Sequence, residues 1–178
     1  YWIAINIVSS IGRGKNLEPL NEEKIFTVYK DIYEYFVKSE GKKVIEGNMA
    51  ERLDKYIFPP TLSDNEHKLS CNRPICGGGI TLVLCDINGD LYPCGCSNMT
   101  SRFVLGNVNS LNDDFYLHQI YEFHRKDKKY YEECHRCDAS KLCNFGCTGF
   151  NIFDNSTFES ECRATKMLFS YLEREDPQ

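Results

Sequence analysis

A chain of 178 residues has room for one ordinary domain, or for a small domain and part of another. With 42% hydrophobic residues and a net charge of −5, it is neither a disordered segment nor a polybasic nucleic-acid binder. No apolar run is long enough to span a bilayer, and no stretch has the plan of a signal peptide, so neither nucleic acid nor membrane is an expected partner.

The opening "YWIAINIVSS" reads as a buried strand, because its apolar residues are nearly continuous and β-branched up to the glycine-containing turn Ile11-Gly12-Arg13-Gly14. It carries no initiator Met and reads as the inside of a fold, the expectation for a piece of a longer protein. Asn21 is then a helix cap, followed by the first-turn acids Glu22 and Glu23. Ile25, Val28, Tyr29, Ile32, Tyr33 and Phe36 place one apolar stripe on that helix, which should end near Gly41. A strand, a turn and a helix docked back on the strand form the unit of a parallel α/β fold. Met49, Leu53, Tyr56 and Ile57 suggest a second, shorter helix stopped by Pro59-Pro60, and "TLSDNEHKLS" reads as a linker.

Beyond the linker the period changes to two. "ITLVLCD" and "DLYPCG" flank Asn88-Gly89, the dipeptide that supplies positive φ to a tight hairpin turn. With a two-residue turn, Cys94 faces Val83, and Cys85, Cys94 and Cys96 share one face of the hairpin. "FVLGNV" is a further extended segment, Phe115, Ile120 and Phe123 mark a helix, and Ala164, Met167, Leu168, Tyr171 and Leu172 mark a last one.

All ten cysteines lie between Cys71 and Cys162. The densest run, "CHRCDASKLCNFGC" at 134–147, must close disulfides, hold zinc or hold an iron–sulfur cluster. Disulfide frameworks belong mostly to small secreted domains with poor cores, whereas this chain has three amphipathic helices with which to build one. Zinc assembles Cys₄ sites from paired cysteines, but five residues between Cys137 and Cys143 make a tight connection for two knuckles, and Cys71, Cys76, Cys94 and Cys162 would need a second site. Iron–sulfur clusters tolerate compact runs. Two four-iron clusters need eight thiolates, and ten are available.

The spacing Cys76-x₁₂-Gly89-x₄-Cys94, then Cys134-x₂-Cys137-x₅-Cys143-x₃-Cys147 and a distant Cys162, resembles the seven-cysteine SPASM domain, the C-terminal part of many radical S-adenosylmethionine (SAM) enzymes that mature peptides and proteins. The resemblance implies an α+β fold: the end of a partial (β/α) barrel over residues 1–58, then over 59–178 a SPASM domain with a β-hairpin, short helices and two clusters in a loop-rich core. It implies one auxiliary 4Fe-4S cluster on Cys76, Cys94 and Cys147, with Cys71, which lies outside the seven-cysteine pattern, placed as fourth ligand. A second cluster would be held by Cys134, Cys137, Cys143 and Cys162. The run is then the shared wall of two clusters. The full-length enzyme would be cytoplasmic and carry SAM and a third 4Fe-4S cluster, with a peptide or protein substrate and a reductant such as a flavodoxin or ferredoxin. The auxiliary clusters would engage substrate or accept an electron.

Two departures qualify the likeness. The three-cysteine motif that holds the SAM-cleaving cluster is absent, so this chain alone is expected to be inactive. Sulfatase-maturing members carry an acid directly after the cysteine that matches Cys94, and here it is Gly95. Sulfatase maturation is not expected, and no catalytic base is assigned. Arg13, between two glycines, is a candidate for reaching SAM, set against an ordinary strand-to-helix turn. His67, His118, His124 and His135 have no acidic partner at metal-ligand spacing. His135, Arg136 and Lys141 are either solvated charge or an offset to cluster charge, and Cys85 and Cys96 are expected to pack as small hydrophobes. The rival readings are a non-catalytic iron–sulfur electron-transfer module and a zinc-stabilised interaction domain.

Overall fold

The computed structural model describes residues 2–10, 14–38, 45–57, 76–97, 102–125, 128–143 and 146–175. Arg13, Cys71, His67, the Pro59-Pro60 stop and the linker lie outside these described residues.

The described residues form a mixed α+β structure. Strand β1 (Trp2–Ile3) leads to helix α1 (Glu22–Lys38) and to strand β2 (Ile45–Glu46), which pairs parallel with β1. Asn21 caps α1, its Oδ1 accepting from the Lys24 N–H at 3.0 Å. Strand β2 carries no periodic signal, because two residues show no alternation. The expectation of a buried opening strand needs correction. Regular pairing covers only Trp2 and Ile3, and Ile3, Ile5 and Val8 are exposed, because only β2 flanks the strand and no described element covers that face. Glu46 is buried, and its carboxylate accepts from the Ile5 N–H at 2.8 Å and the Met49 N–H at 2.7 Å. One acid thereby starts helix α2 (Gly47–Ile57) and ties it to the chain leaving β1.

The hairpin pairs β3 (Leu84–Cys85) with β4 (Asp90–Tyr92), and β5 (Gly106–Asn107) adds to the far edge of β4. Its register differs by one residue from the two-residue-turn expectation, since Cys85 pairs with Leu91. The Asp86 carboxylate accepts from the N–H groups of Asn88 and Asp90 at 2.8 and 2.9 Å, which stabilises a three-residue loop with Gly89 at φ 83°. A one-residue slip exchanges the faces, so Cys85 leaves the face expected to carry Cys94 and is exposed.

Helix α3 (Asp113–His124) starts at Asn112, whose Oδ1 accepts from the Phe115 N–H at 2.8 Å. It buries Phe123 edge-on against Phe103, while Phe115 stays exposed. Helices α4 (Lys128–His135), α5 (Ser140–Cys143) and α6 (Thr148–Phe153) carry the cysteine run, and α7 (Asn155–Glu175) closes the chain. The main core joins Met49 of α2, Leu142 of α5 and Leu168 and Leu172 of α7, with Phe26, Tyr29, Ile32 and Tyr33 of α1 packed on it. One core therefore includes residues from both sides of the expected boundary at 58 and 59. It also sets the cysteine run against α7.

Candidate metal centre

Cys134 ends in the last turn of α4, Cys137 lies in the turn that follows, Cys143 closes α5, and Cys162 lies within α7. Backbone bonds shape this segment: the Cys137 N–H donates to the Cys134 carbonyl at 3.2 Å, and the Cys143 N–H to the Ala139 carbonyl at 2.9 Å. All four thiols line one cavity of about 310 Å³. Burial pushes the Cys143 thiol up to about 11; the Arg52 guanidinium pulls the other way, and the neighbouring charges of Cys162, Glu161 and Cys134 add to the rise. Cys162 is raised as well, by burial against the pull of Lys166, with Cys137 adding to the rise. These thiols feel one another's charge. Burial and mutual repulsion favour their neutral thiol forms, a preference that a bound cation would reverse.

Cations are already present around them. Arg163 and Lys166 line the same cavity, and Arg52 stands behind Cys143. His135, Arg136 and Lys141, the charged residues inside the run, are exposed. Glu159, Arg163 and Lys166, which the sequence reading did not single out, recur at helical spacing on the face of α7 that carries Cys162.

A second group of thiols forms where the hairpin meets α6. After β4 the chain turns at Cys94, whose N–H donates to Ser97 Oγ at 3.1 Å while that hydroxyl donates back to the Cys94 carbonyl at 2.7 Å. Cys147 caps α6. Cys96 stands beside both, close enough for its thiol to shift each of theirs. Contact with the Cys96 thiol draws Cys94 down to about 6 and Cys147 down to about 7, with burial opposing both. Gly149 permits the approach: a Cβ there would lie 2.8 Å from Cys96 Cβ, 3.2 Å from Cys96 Sγ and 3.5 Å from Cys94 Sγ. Cys76 lies near the backbone that precedes Cys94. A Cβ at Gly78 would meet Cys76 Sγ at 3.4 Å and the Pro93 carbonyl at 3.2 Å, and the Gly79 N–H donates to that carbonyl at 3.0 Å.

Cys147 thus lies with Cys94 and Cys96, whereas Cys143, four residues earlier, lies with Cys134, Cys137 and Cys162. Of the histidines, His118 and His135 are exposed, and His124 Nε2 is bonded to the Gly78 carbonyl at 2.7 Å. Among the described residues, no three Cys, His, Asp or Glu side chains form a group placed to hold a single metal ion.

The donor set fits an iron–sulfur cluster. Thiolates are its ligands, and a cavity of about 310 Å³ is several times the roughly 30 Å³ that one water occupies. Next to Cys147, the Thr148 hydroxyl is buried with no hydrogen-bond partner among the described residues, a cost of about 1–3 kcal/mol that a bound group with acceptor atoms would offset.

Compared with known proteins, the chain matches no family model, no curated protein and no solved structure.

Proposed function

We propose that this chain is the C-terminal part of a radical SAM enzyme that matures a peptide or protein, a SPASM domain following the end of a partial (β/α) barrel, and that it holds two auxiliary 4Fe-4S clusters. The observation that carries the proposal is the convergence of Cys134, Cys137, Cys143 and Cys162, from three helices and a turn, on one cavity, with Cys94 and Cys147 both neighbours of Cys96 elsewhere. Cys134, Cys137, Cys143 and Cys162 are the four residues that the spacing groups together, and Cys94 and Cys147 are two of the four it assigns to the other cluster, of which Cys71 lies outside the described residues. The exposed Ile3, Ile5 and Val8 are residues that further barrel strands would cover.

In such an enzyme the cofactors supply radical chemistry and electron exchange, and the protein supplies ligation, orientation and electrostatics. Here Cys134, Cys137, Cys143 and Cys162 would hold one cluster, with Arg52, Arg163 and Lys166 offsetting the charge of its thiolates. Cys76, Cys94 and Cys147 would hold the other. A second cavity of about 400 Å³, lined by Ile5, Met49, Arg52, Cys143, Cys147 and Glu161, adjoins both sets and is the space in which substrate would approach them.

Anaerobic reconstitution should bring about eight irons per chain, the content of two four-iron clusters. Zinc without iron would overturn the reading in favour of an interaction domain. The chain alone should yield no 5′-deoxyadenosine from SAM and reductant, since it lacks the three-cysteine motif. Formation of that product would contradict the assignment.

A further inference from the structure

The cavity of about 400 Å³ beside Cys143 and Cys147 lies between the chain leaving β1, helices α1 and α2 and the start of α6. Its walls are mainly apolar: Ile7 follows β1, Val28 and Ile32 come from α1, Met49 from α2 and Phe150 from α6. Its size falls in the range of roughly 300–1,000 Å³ found for small-ligand pockets, which accommodates one large side chain with its flanking peptide groups.

The polar end of the cavity is electrically balanced, because Arg52 and Glu161 both line it and pair with each other. The guanidinium gives Nη1 to Thr165 Oγ1 and Nη2 to Glu161 Oε1 and the Tyr29 hydroxyl, which leaves its Nε–H and one Nη1–H without a partner among the described residues. Glu161 meets both Arg52 and Tyr29 through Oε1, and its Oε2 has no partner among the described residues. Spare N–H donors and a spare carboxylate acceptor thus stand together, the complement of a peptide group with its carbonyl and its N–H. A charged side chain has no counter-charge here. Arg52 is neutralised by Glu161, and Glu46, the other acid at the wall, is buried with its carboxylate already accepting from the N–H groups of Ile5, Asn48 and Met49. Apolar walls penalise an ion left unpaired.

We propose that this cavity is a side-chain pocket for the peptide substrate, selecting one large uncharged apolar residue whose adjoining peptide group bonds to Arg52 and Glu161. The proposal rests on the reading of the chain as part of a peptide-modifying enzyme and names the kind of residue that enzyme takes. On binding, the apolar side chain leaves water for the wall of Val28, Ile32, Met49 and Phe150, and the peptide carbonyl and N–H exchange water for the spare groups of Arg52 and Glu161.

The test titrates the anaerobically reconstituted chain, labelled with carbon-13 at its methionine methyls, with acetyl-Gly-Leu-Gly-amide and with the same peptide carrying Glu or Lys at its centre. The Met49 methyl resonance should shift saturably with the leucine peptide, and the Glu and Lys peptides should bind at least about tenfold more weakly. Val28→Trp, at a partly exposed position on the cavity wall, should fill the space and weaken the leucine peptide at least about tenfold, with far-UV circular dichroism matching the parent. The peptides are compared on the parent chain, so selectivity is read whether or not that variant folds. A Met49 resonance unmoved by about 10 mM leucine peptide, in a chain that takes up about eight irons, would overturn the pocket and leave the cluster reading intact. Equal affinity for all the peptides would overturn the apolar selectivity. Saturable binding of the leucine peptide alone, by a chain that takes up no iron, would support the pocket and overturn the cluster reading.

Discussion

Arg52 on α2 and Glu161 on α7 form an ion pair beside Cys143, with the two side chains only 19% and 13% exposed. The guanidinium also donates to Thr165 Oγ1 at 3.2 Å and lies 5.1 Å from the centre of the Tyr29 ring, while the Tyr29 hydroxyl donates to Glu161 Oε1 at 3.1 Å. Residues from both ends of the chain are joined at this point. Arg52→Met leaves Glu161 buried without its counter-charge and should cost on the order of 2–4 kcal/mol. Urea unfolding of the metal-free protein measures it. Arg52→Lys should recover only part of the loss, because an ammonium cannot lie flat on Tyr29 while serving both Glu161 and Thr165. Equal stability of Arg52→Met and parent would show that the pair contributes nothing.

Asp154 links the chain after β1 to the start of α7. Its carboxylate accepts from the Ser10 N–H at 2.7 Å, the Thr157 hydroxyl at 2.7 Å and the Thr157 N–H at 3.2 Å. Burial opposes its charge, but these bonds prevail and hold its carboxyl down at about 2. A depressed carboxylate stabilises the fold fully above its unfolded value near 4, and that contribution is lost as pH falls through about 2. It amounts to about 2 kcal/mol. Asp154→Asn should lower stability at pH 6 and flatten the pH dependence of unfolding between about 4 and 2. Urea melts of the metal-free pair at several pH values give the comparison, and an unchanged slope in the variant would refute the role.

Gly149→Ala sets two effects against each other. Alanine favours a helix by up to about 1 kcal/mol over glycine, but a Cβ 2.8 Å from Cys96 Cβ must push the turn away, an overpacking cost of about 1–3 kcal/mol. The clash should win. The variant should melt below the parent and lose iron from the first cluster while keeping the second. A higher melting temperature with full iron would show that the turn moves freely.

The thiols should divide by site. Cys143→Ala should strip iron from the set of Cys134, Cys137 and Cys162, and Cys147→Ala from the set of Cys94, although the two residues are close in sequence. Each variant should retain about four irons, with different electron paramagnetic resonance signals on reduction. Cys85→Ala should retain all of it, since the hairpin register turns that side chain to solvent. Iron lost from Cys85→Ala would mean that the hairpin pairs in the other register.

Local chemistry carried far in this chain. The Asn21 cap, the stripe of α1 and the buried face of α7 were legible because capping and helical period depend only on residues within a turn or two. The cysteine spacing likewise announced a thiol-rich centre, since the run keeps its sulfurs close whatever surrounds them. The hairpin register was not legible: Asn88-Gly89 fits a two-residue turn, and only the reach of the Asp86 carboxylate to the Asn88 and Asp90 N–H groups lengthens it by one. Strand β2 was missed because its pairing with β1 is made across forty residues by two residues without a pattern. The company of Cys96 was decided by tertiary structure alone, because its neighbours are set by how α6 packs over the hairpin turn. Spacing along the chain records which thiols are near in sequence, and packing determines which sulfurs face one another.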